Sequence, residues 1–351
     1  MKRQKLLILS AITIVIVVIA AFFNQSRAPQ ITIEKETLFP ELANKVNDVT
    51  HIEINSSEDR DVILQKIEDG QWALQSADNY PAQFDKIKDV VVSLSQIKIL
   101  ATKTDNPKLY PELGVEGPDG INTSSLLLTL SDQSGTTLAS LIVGKPRKKN
   151  TGSNQPNLYV RKVDAKNALL VEGYLQLKSN NSDWYERNVI HIPASRIQDV
   201  NIFKSTGEHL LIKKHAEGDT EFKIIEGNTS SPSVLLTKLG TFFEDMHVEG
   251  VRAANNFEFP DDATITTFTT FNGLIITVKN VLGDSKAFAH FSFTTAATSN
   301  NSPDGMPKSN SETISVEEES QLWNQSLSHW VYEIPEFKFD TLDIDVTQAS
   351  E

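Results

Sequence analysis

The chain has 351 residues, a formal charge of −13 and no cysteine, which excludes disulfides and a lipid-modified cysteine. With 39% apolar and 23% charged residues, it has the composition of a chain that buries real cores and is not disordered. The four basic residues among 1–30 have no acidic counterpart there, so the rest carries −17, a field that repels phosphate backbones and argues for no nucleic acid among its partners.

At the N-terminus Lys2, Arg3 and Lys5 precede Leu6–Phe23, whose only polar members are Ser10 and Thr13. That run matches the ~20 apolar residues needed for a membrane-spanning helix, with Leu6, Ile12, Ile16 and Phe23 as anchor residues. Three positive charges before the run and Arg27 after it orient the N-terminus toward the cytoplasm. The expectation is a single-pass protein of a bacterial inner membrane, its body periplasmic or otherwise extracytoplasmic. The apolar core exceeds the ~7–15 residues of a cleaved signal peptide, and Ile19–Phe23 offers a poor cleavage site, so an uncleaved anchor is favoured.

Beyond this tip and anchor (1–30), more than 300 residues exceed one typical domain and predict two units, 31–195 and 196–351. The first opens with Val49-Thr50-His51-Ile52-Glu53-Ile54, alternating like a strand, then Val62-Ile63-Leu64, a turn at Asp69-Gly70 and Trp72-Ala73-Leu74. This predicts a small antiparallel meander. Pro81 then opens a helix over 81–98, in which Phe84, Ile87, Val90, Val91, Leu94 and Ile97 recur at helical spacing. After a Pro- and Gly-rich connection, strands are predicted at Ser125–Leu130, Leu138–Val143, Leu158–Val163 and Ala168–Val171.

The same order returns about 148 residues later, where Ile197, Val200 and Ile202 stand in the pattern of Val49, Ile52 and Ile54. Leu210-Leu211-Ile212 and Phe222-Lys223-Ile224 repeat the next two strands. Pro232 opens a helix over 232–247 with Leu235, Leu239, Phe242, Phe243 and Met246 on one face, and strands follow at Thr264–Phe271, Leu274–Val278 and Ala287–Phe293. Asp183–Arg187 and His329–Glu333 close the two units, so Trp184 and Trp330, together with Trp72, are read as structural aromatics. Leu342–Val346 reads as the first strand of a further, uncompleted unit. Self-similarity at a fixed period marks repeated units. The expected fold class is α+β: a transmembrane helix, then two repeated units, each an antiparallel meander plus one long amphipathic helix and further strands.

From Asp48 to Gly173 the layout resembles the DUF4340 family. The resemblance rests on the Val49-Thr50-His51-Ile52-Glu53-Ile54 opening, Gly70-Gln71-Trp72, Tyr80-Pro81-Ala82, Leu113-Gly114-Val115-Glu116-Gly117-Pro118, and the strand end from Leu138 to Gly144. The second half departs from it, with Phe222 in place of a Trp and Phe259-Pro260-Asp261-Asp262 in place of the Gly-Pro connection. The resemblance implies an anchored envelope protein that accompanies ABC-type exporters and a companion of the gliding-motility auxiliary type. It transfers no catalytic residue.

Chemistry-bearing patterns are sparse. The seven histidines (His51, His191, His209, His215, His247, His290, His329) form no H-x-H or H-E-x-x-H pair, so no metal site is expected. Ser95-Gln96-Ile97-Lys98 has the Ser-x-x-Lys spacing of acyl enzymes but lacks their Lys-Thr-Gly and Ser-Asp-Asn partners. Asp261-Asp262 reads as a helix cap or solvated turn, and Lys145, Arg147, Lys148 and Lys149 as a solvated basic loop that could alternatively meet an acidic partner or anionic lipid. Trp323, like the other tryptophans, could instead line a cleft. The expectation is a non-catalytic accessory protein without cofactor, partnered with an ABC-type transport system. The alternative is an envelope-polymer-binding protein or hydrolase with its site between the two units.

Overall fold

Alternation of buried and half-buried side chains fixes which face of each strand turns inward. In Val49–Asn55 (β1), Val49, Ile52 and Ile54 are buried, and the three-residue step after Val49 is absorbed by a register shift between Val49 and His51. Ile52 lies opposite Leu64 on one side and Leu130 on the other, and all three are completely buried. The computed structural model describes residues 35–57, 61–120, 123–147, 156–296 and 314–346. The proposed anchor, with Leu6, Ile12, Ile16 and Phe23, lies outside them. Among the described residues no helix is long and apolar enough to cross a membrane.

The first sheet joins β1 to Val62–Lys66 (β2), Trp72–Leu74 (β3), Tyr80–Pro81 (β4), Lys98–Thr104 (β5), Leu126–Asp132 (β6), Thr137–Pro146 (β7), Asn157–Lys162 (β8) and Ala168–Glu172 (β9). Its order is β4-β3-β2-β1-β6-β7-β8-β9-β5. The meander and the later strands are therefore one sheet, because β1 pairs with both β2 and β6. A short ribbon pairs Asn188–Ile190 (β10) with Met246–His247 (β14).

The second sheet contains Ile197–Phe203 (β11), His209–Lys213 (β12), Lys223–Glu226 (β13), Gly250–Ala253 (β15), Thr264–Thr270 (β16), Leu274–Leu282 (β17), Ala287–Thr295 (β18) and Trp330–Ile334 (β19). Its order, β13-β12-β11-β16-β17-β18-β19-β15, matches the first sheet strand for strand except that among the described residues no strand takes the place of β4. Val200 sits opposite Ile212 and Phe268 as Ile52 sits opposite Leu64 and Leu130, and the register shift recurs between Ile197 and Asp199. Every neighbouring pair named here is antiparallel. Among the described residues the helices are Leu42–Lys45 (α1), Phe84–Gln96 (α2), Tyr110–Leu113 (α3), Ser233–Gly240 (α4), Val316–Leu327 (α5) and Glu336–Leu342 (α6). One continuous apolar core runs from Leu38 to Val346 through both sheets.

Four expectations are corrected. The first long helix stops at Gln96, with Phe84 58% exposed and Ile97 buried beyond its end. The second stops at Gly240, not 247. Phe242 and Phe243 are both buried and satisfy helical spacing, but they lie in a turn after the helix end, with the Phe242 amide on the Leu239 carbonyl. The chain turns there, and the buried Lys338 ammonium takes the Phe242 carbonyl at 2.6 Å. Thirdly, Leu342–Val346 is no strand. Leu342, Ile344 and Val346 are buried in alternation, but the segment follows α6 and is held by side chains, Lys204 to Asp343 and both Thr229 and Ser230 to Asp345. Lastly, the two Trp-containing segments differ. Trp184 follows a tight turn at Asn181–Asp183, whereas Trp330 opens β19, the counterpart in sheet order of β9.

Gly144 tests how β7 docks on the turn after α3. A Cβ there would lie 2.5 Å from the Leu113 carbonyl oxygen and 2.6 Å from that of Gly114. Gly144→Ala is expected to destabilise the protein by about 1–3 kcal/mol through overpacking. Urea denaturation checks this, and an unchanged midpoint would contradict the packing described.

Candidate functional site

The two sheets meet edge to edge where a left-handed turn follows β3. Asp78 (φ 56°) and Asn79 (φ 65°) both adopt positive φ, a conformation that short polar side chains tolerate best among non-glycine residues. The Asn79 amide donates to the Leu74 carbonyl at 3.0 Å, and its side-chain oxygen accepts from Gln65 Nε2 at 2.6 Å. The turn aims the Asp78 carboxylate across the gap, where Oδ2 accepts the Ala253 amide of β15 at 2.8 Å. It also delivers Tyr80 into a cluster of aromatic rings.

Tyr80 makes edge-on contacts with Tyr185 (5.0 Å, 70°), Trp330 (4.8 Å, 76°) and Tyr332 (6.3 Å, 90°). Tyr185 and Tyr332 are almost completely buried. Burial pushes all three phenols above their ordinary range, with Tyr80 adding to the rise at Tyr185 and Tyr332. Among the described residues the Tyr185 hydroxyl has no hydrogen-bond partner. Edge-on aromatic pairs contribute about 0.5–1.5 kcal/mol each beyond burial, so this cluster is the main adhesive of the junction.

Beside it opens a cleft of about 550 Å³ lined by Tyr80, Pro81, Glu186, Asn188, Gln325, His329 and Trp330, among others. The Glu186 carboxylate is fixed there by Gln83 Nε2 at 3.1 Å and the Asn188 amide at 3.0 Å. Ser326 also lines the cleft, but its hydroxyl donates to the Leu322 carbonyl within α5. The arrangement offers aromatic and polar contacts to a bound molecule and no nucleophile held by a base.

The residues singled out from sequence are not brought together. Ser95 is buried and donates to the Val92 carbonyl at 2.7 Å, while Lys98 is exposed beyond the helix end, on the first residue of β5, so the helical spacing of the pair is broken. His209 contacts Asn201 and His290 the Ser328 carbonyl. Among the described residues no three metal-ligating side chains are grouped to hold an ion. Asp261 and Asp262 sit in a turn closed by the Ala263 amide on the Pro260 carbonyl. Lys145 caps the carbonyl of Pro111 at 2.9 Å, and Lys148 and Lys149 lie outside the described residues. Trp72 and Trp184 are core residues, Trp330 packs at the edge of the core, and Trp323 stacks on Phe293 at 5.9 Å.

Sequence reasoning missed the tyrosines. Tyr185 and Tyr332 each neighbour or nearly neighbour a Trp already noted, and Tyr80 precedes a noted proline, so adjacency was the available signal. Lys214 and Lys338 were missed as well; both are buried, with amines pushed down by burial.

These features define an α+β protein built from two antiparallel sheets of shared strand order, with a cleft at their junction. A family model described as "Domain of unknown function (DUF4340)" matches residues 72–262, over half of the chain, and the chain belongs to that family. No curated protein and no solved structure matches the chain.

The raised phenols set an alkaline test. Free phenols ionise near 10.0, so the stability linked to keeping these three protonated is fully present below that pH and is lost as pH rises above it. In an alkaline titration followed by tyrosinate absorbance, Tyr80, Tyr185 and Tyr332 should ionise only together with unfolding. Replacing each by Phe should remove amplitude from that late step alone. Tyr185→Phe, which deletes an unpartnered hydroxyl, should be neutral or stabilising, whereas Tyr80→Ala should cost about 3–5 kcal/mol. Ionisation of all three in the still-folded protein would refute the burial assigned to the junction.

Proposed function

We propose that this protein is a membrane-anchored, extracytoplasmic accessory protein whose two sheets form a non-catalytic docking platform for a partner in an ABC-type transport system. The observation that carries this reading is the edge-to-edge union of two sheets of the same order through Asp78, Ala253 and the Tyr80 cluster. Such a union gives a broad, rigid surface, which is what a docking function requires. We read the two sheets as two copies of one α+β unit. The anchor at Leu6–Phe23 supports an inner-membrane location with the N-terminus cytoplasmic, and the resemblance of Asp48–Gly173 to its family supports the transporter association.

A second reading is favoured by the cleft at the junction. Tyr80 and Trp330 supply ring surface, and Glu186, Asn188, Gln325 and His329 supply polar groups, the combination with which sites for envelope polymers bind rings and hydroxyls. On this reading the protein is a polymer-binding protein or hydrolase.

The two readings separate in cells. Under the platform reading, crosslinking in intact membranes followed by pull-down of the tagged chain recovers transporter subunits, and deletion of 1–30 abolishes function because confinement to the membrane raises effective concentration. Ser95→Ala, Lys98→Ala and Glu186→Gln leave cellular activity unchanged. A purified body that turns over or retains an envelope polymer, with that ability lost in Glu186→Gln and no membrane protein recovered, would reject the platform.

A further inference from the structure

Among the described residues the strand β13 ends the second sheet with an open side. Lys223, Ile224, Ile225 and Glu226 are all exposed, Ile224 at 44% and Ile225 at 54%. Its counterpart β3 is buried throughout, and β4 pairs along its outer side. The turn after β13 supplies no such strand, since Thr229 and Ser230 are engaged with Asp345 of the C-terminal segment. An unpaired apolar strand edge is a template for another strand.

We propose that β13 is a self-association edge, on which a second copy of this chain lays its own β13 antiparallel. The tetrapeptide Lys223-Ile224-Ile225-Glu226 is self-complementary when reversed. About a two-fold axis between Ile224 and Ile225, each Lys223 faces the second copy's Glu226, and each Ile224 faces an Ile225. The flanking residues bring no like charges together, because Phe222 then faces Gly227 and Glu221 faces Asn228. A two-fold contact uses the same patch on both copies, and this reversed charge pattern meets that requirement.

The charges around β13 within one copy favour the same pairing. Lys223 lies directly opposite Lys213 on β12, and like charges across a strand pair are destabilising. Lys213 has Asp199 across its other side, with the two close enough to interact, while no ion pair of Lys223 occurs among the described residues. Among the described residues the Glu226 carboxylate has His209 Nδ1 as its ion-pair partner, at 3.7 Å. An acidic group from outside thus answers an unbalanced lysine, and the second copy carries one at the required position. A register shift at Ile225 keeps the pairing short, so association is weak in dilute solution and strengthens where copies are concentrated.

The test uses the full chain bearing two different tags, co-expressed and co-captured from detergent extracts after brief crosslinking in membranes. Wild-type copies should capture one another. Lys223→Glu and Glu226→Lys should each reduce self-capture at least about tenfold, because both symmetry-related pairs become repulsive. Mixing the Lys223→Glu chain with the Glu226→Lys chain should restore capture, as should the double swap Lys223→Glu/Glu226→Lys in both copies. Thermal melting of each variant verifies folding, and the restored combinations separate lost pairing from lost structure. Absence of wild-type self-capture, indifference to both single reversals, or failure of the mixed pair to recover would each overturn the proposal.

Discussion

The cluster of Tyr80, Tyr185, Trp330 and Tyr332, together with the hydrogen bond from the Ala253 amide to Asp78, is the contact on which the rest of the arrangement depends. An open antiparallel sheet carries two edges of unpaired backbone groups, and each must be paired, covered or left to water. Here β4 lies near β15 without a ladder between them, and the Asp78 side chain takes the Ala253 amide at that edge. The apolar core continues from Leu38 to Val346 without a break. A charge-assisted bond alone would be a modest tether; the neighbouring rings, with Tyr185 and Tyr332 almost completely buried, supply the larger burial.

The difference between the two sheets lies in the turn after the third strand of each. In the first, Tyr80 precedes Pro81; in the second, Ser231 precedes Pro232. The aromatic turn reaches outward and grips the neighbouring sheet. The polar turn instead holds the chain's own C-terminal segment through Thr229 and Ser230. A similar hydrogen-bonded return occurs in the first half, where Asn181 exchanges bonds with Ser76. Sheets of shared order thus end differently because the first turn holds both its exit segment and the neighbouring sheet, while the second holds the C-terminal segment.

Most strands were legible in the sequence because alternation is a local property. Val49, Ile52 and Ile54, and their counterparts Ile197, Val200 and Ile202, are inward-facing as the pattern required. Pairing between distant strands was not legible, so the union of β1 with β6 into one wide sheet emerged only in three dimensions. The helix at 232–247 was overextended because Phe242, Phe243 and Met246 satisfy helical spacing while tertiary packing overrides it, aided by a lysine nearly a hundred residues away. Likewise Leu342–Val346 alternates like a strand, but its partners are side chains and no ladder forms. At the candidate site, Trp330 and Trp184 were legible as bulky aromatics. The role of Tyr80 was not, since it arises from a left-handed turn whose geometry aims it at residues 105 to 252 positions further along the chain.

If the junction binds the two sheets into one body, the most direct measurement is amide hydrogen exchange of the full chain, resolved to short peptides. The Ala253 amide and the 330–332 segment should exchange as slowly as the core strands β1 and β17, and Asp78→Ala should accelerate Ala253 and its neighbours while leaving those strands protected. Exchange of the 250–253 and 330–332 segments at the rate of exposed loops, with both sheet interiors still protected, would contradict the account: the sheets would then be separate bodies on a tether.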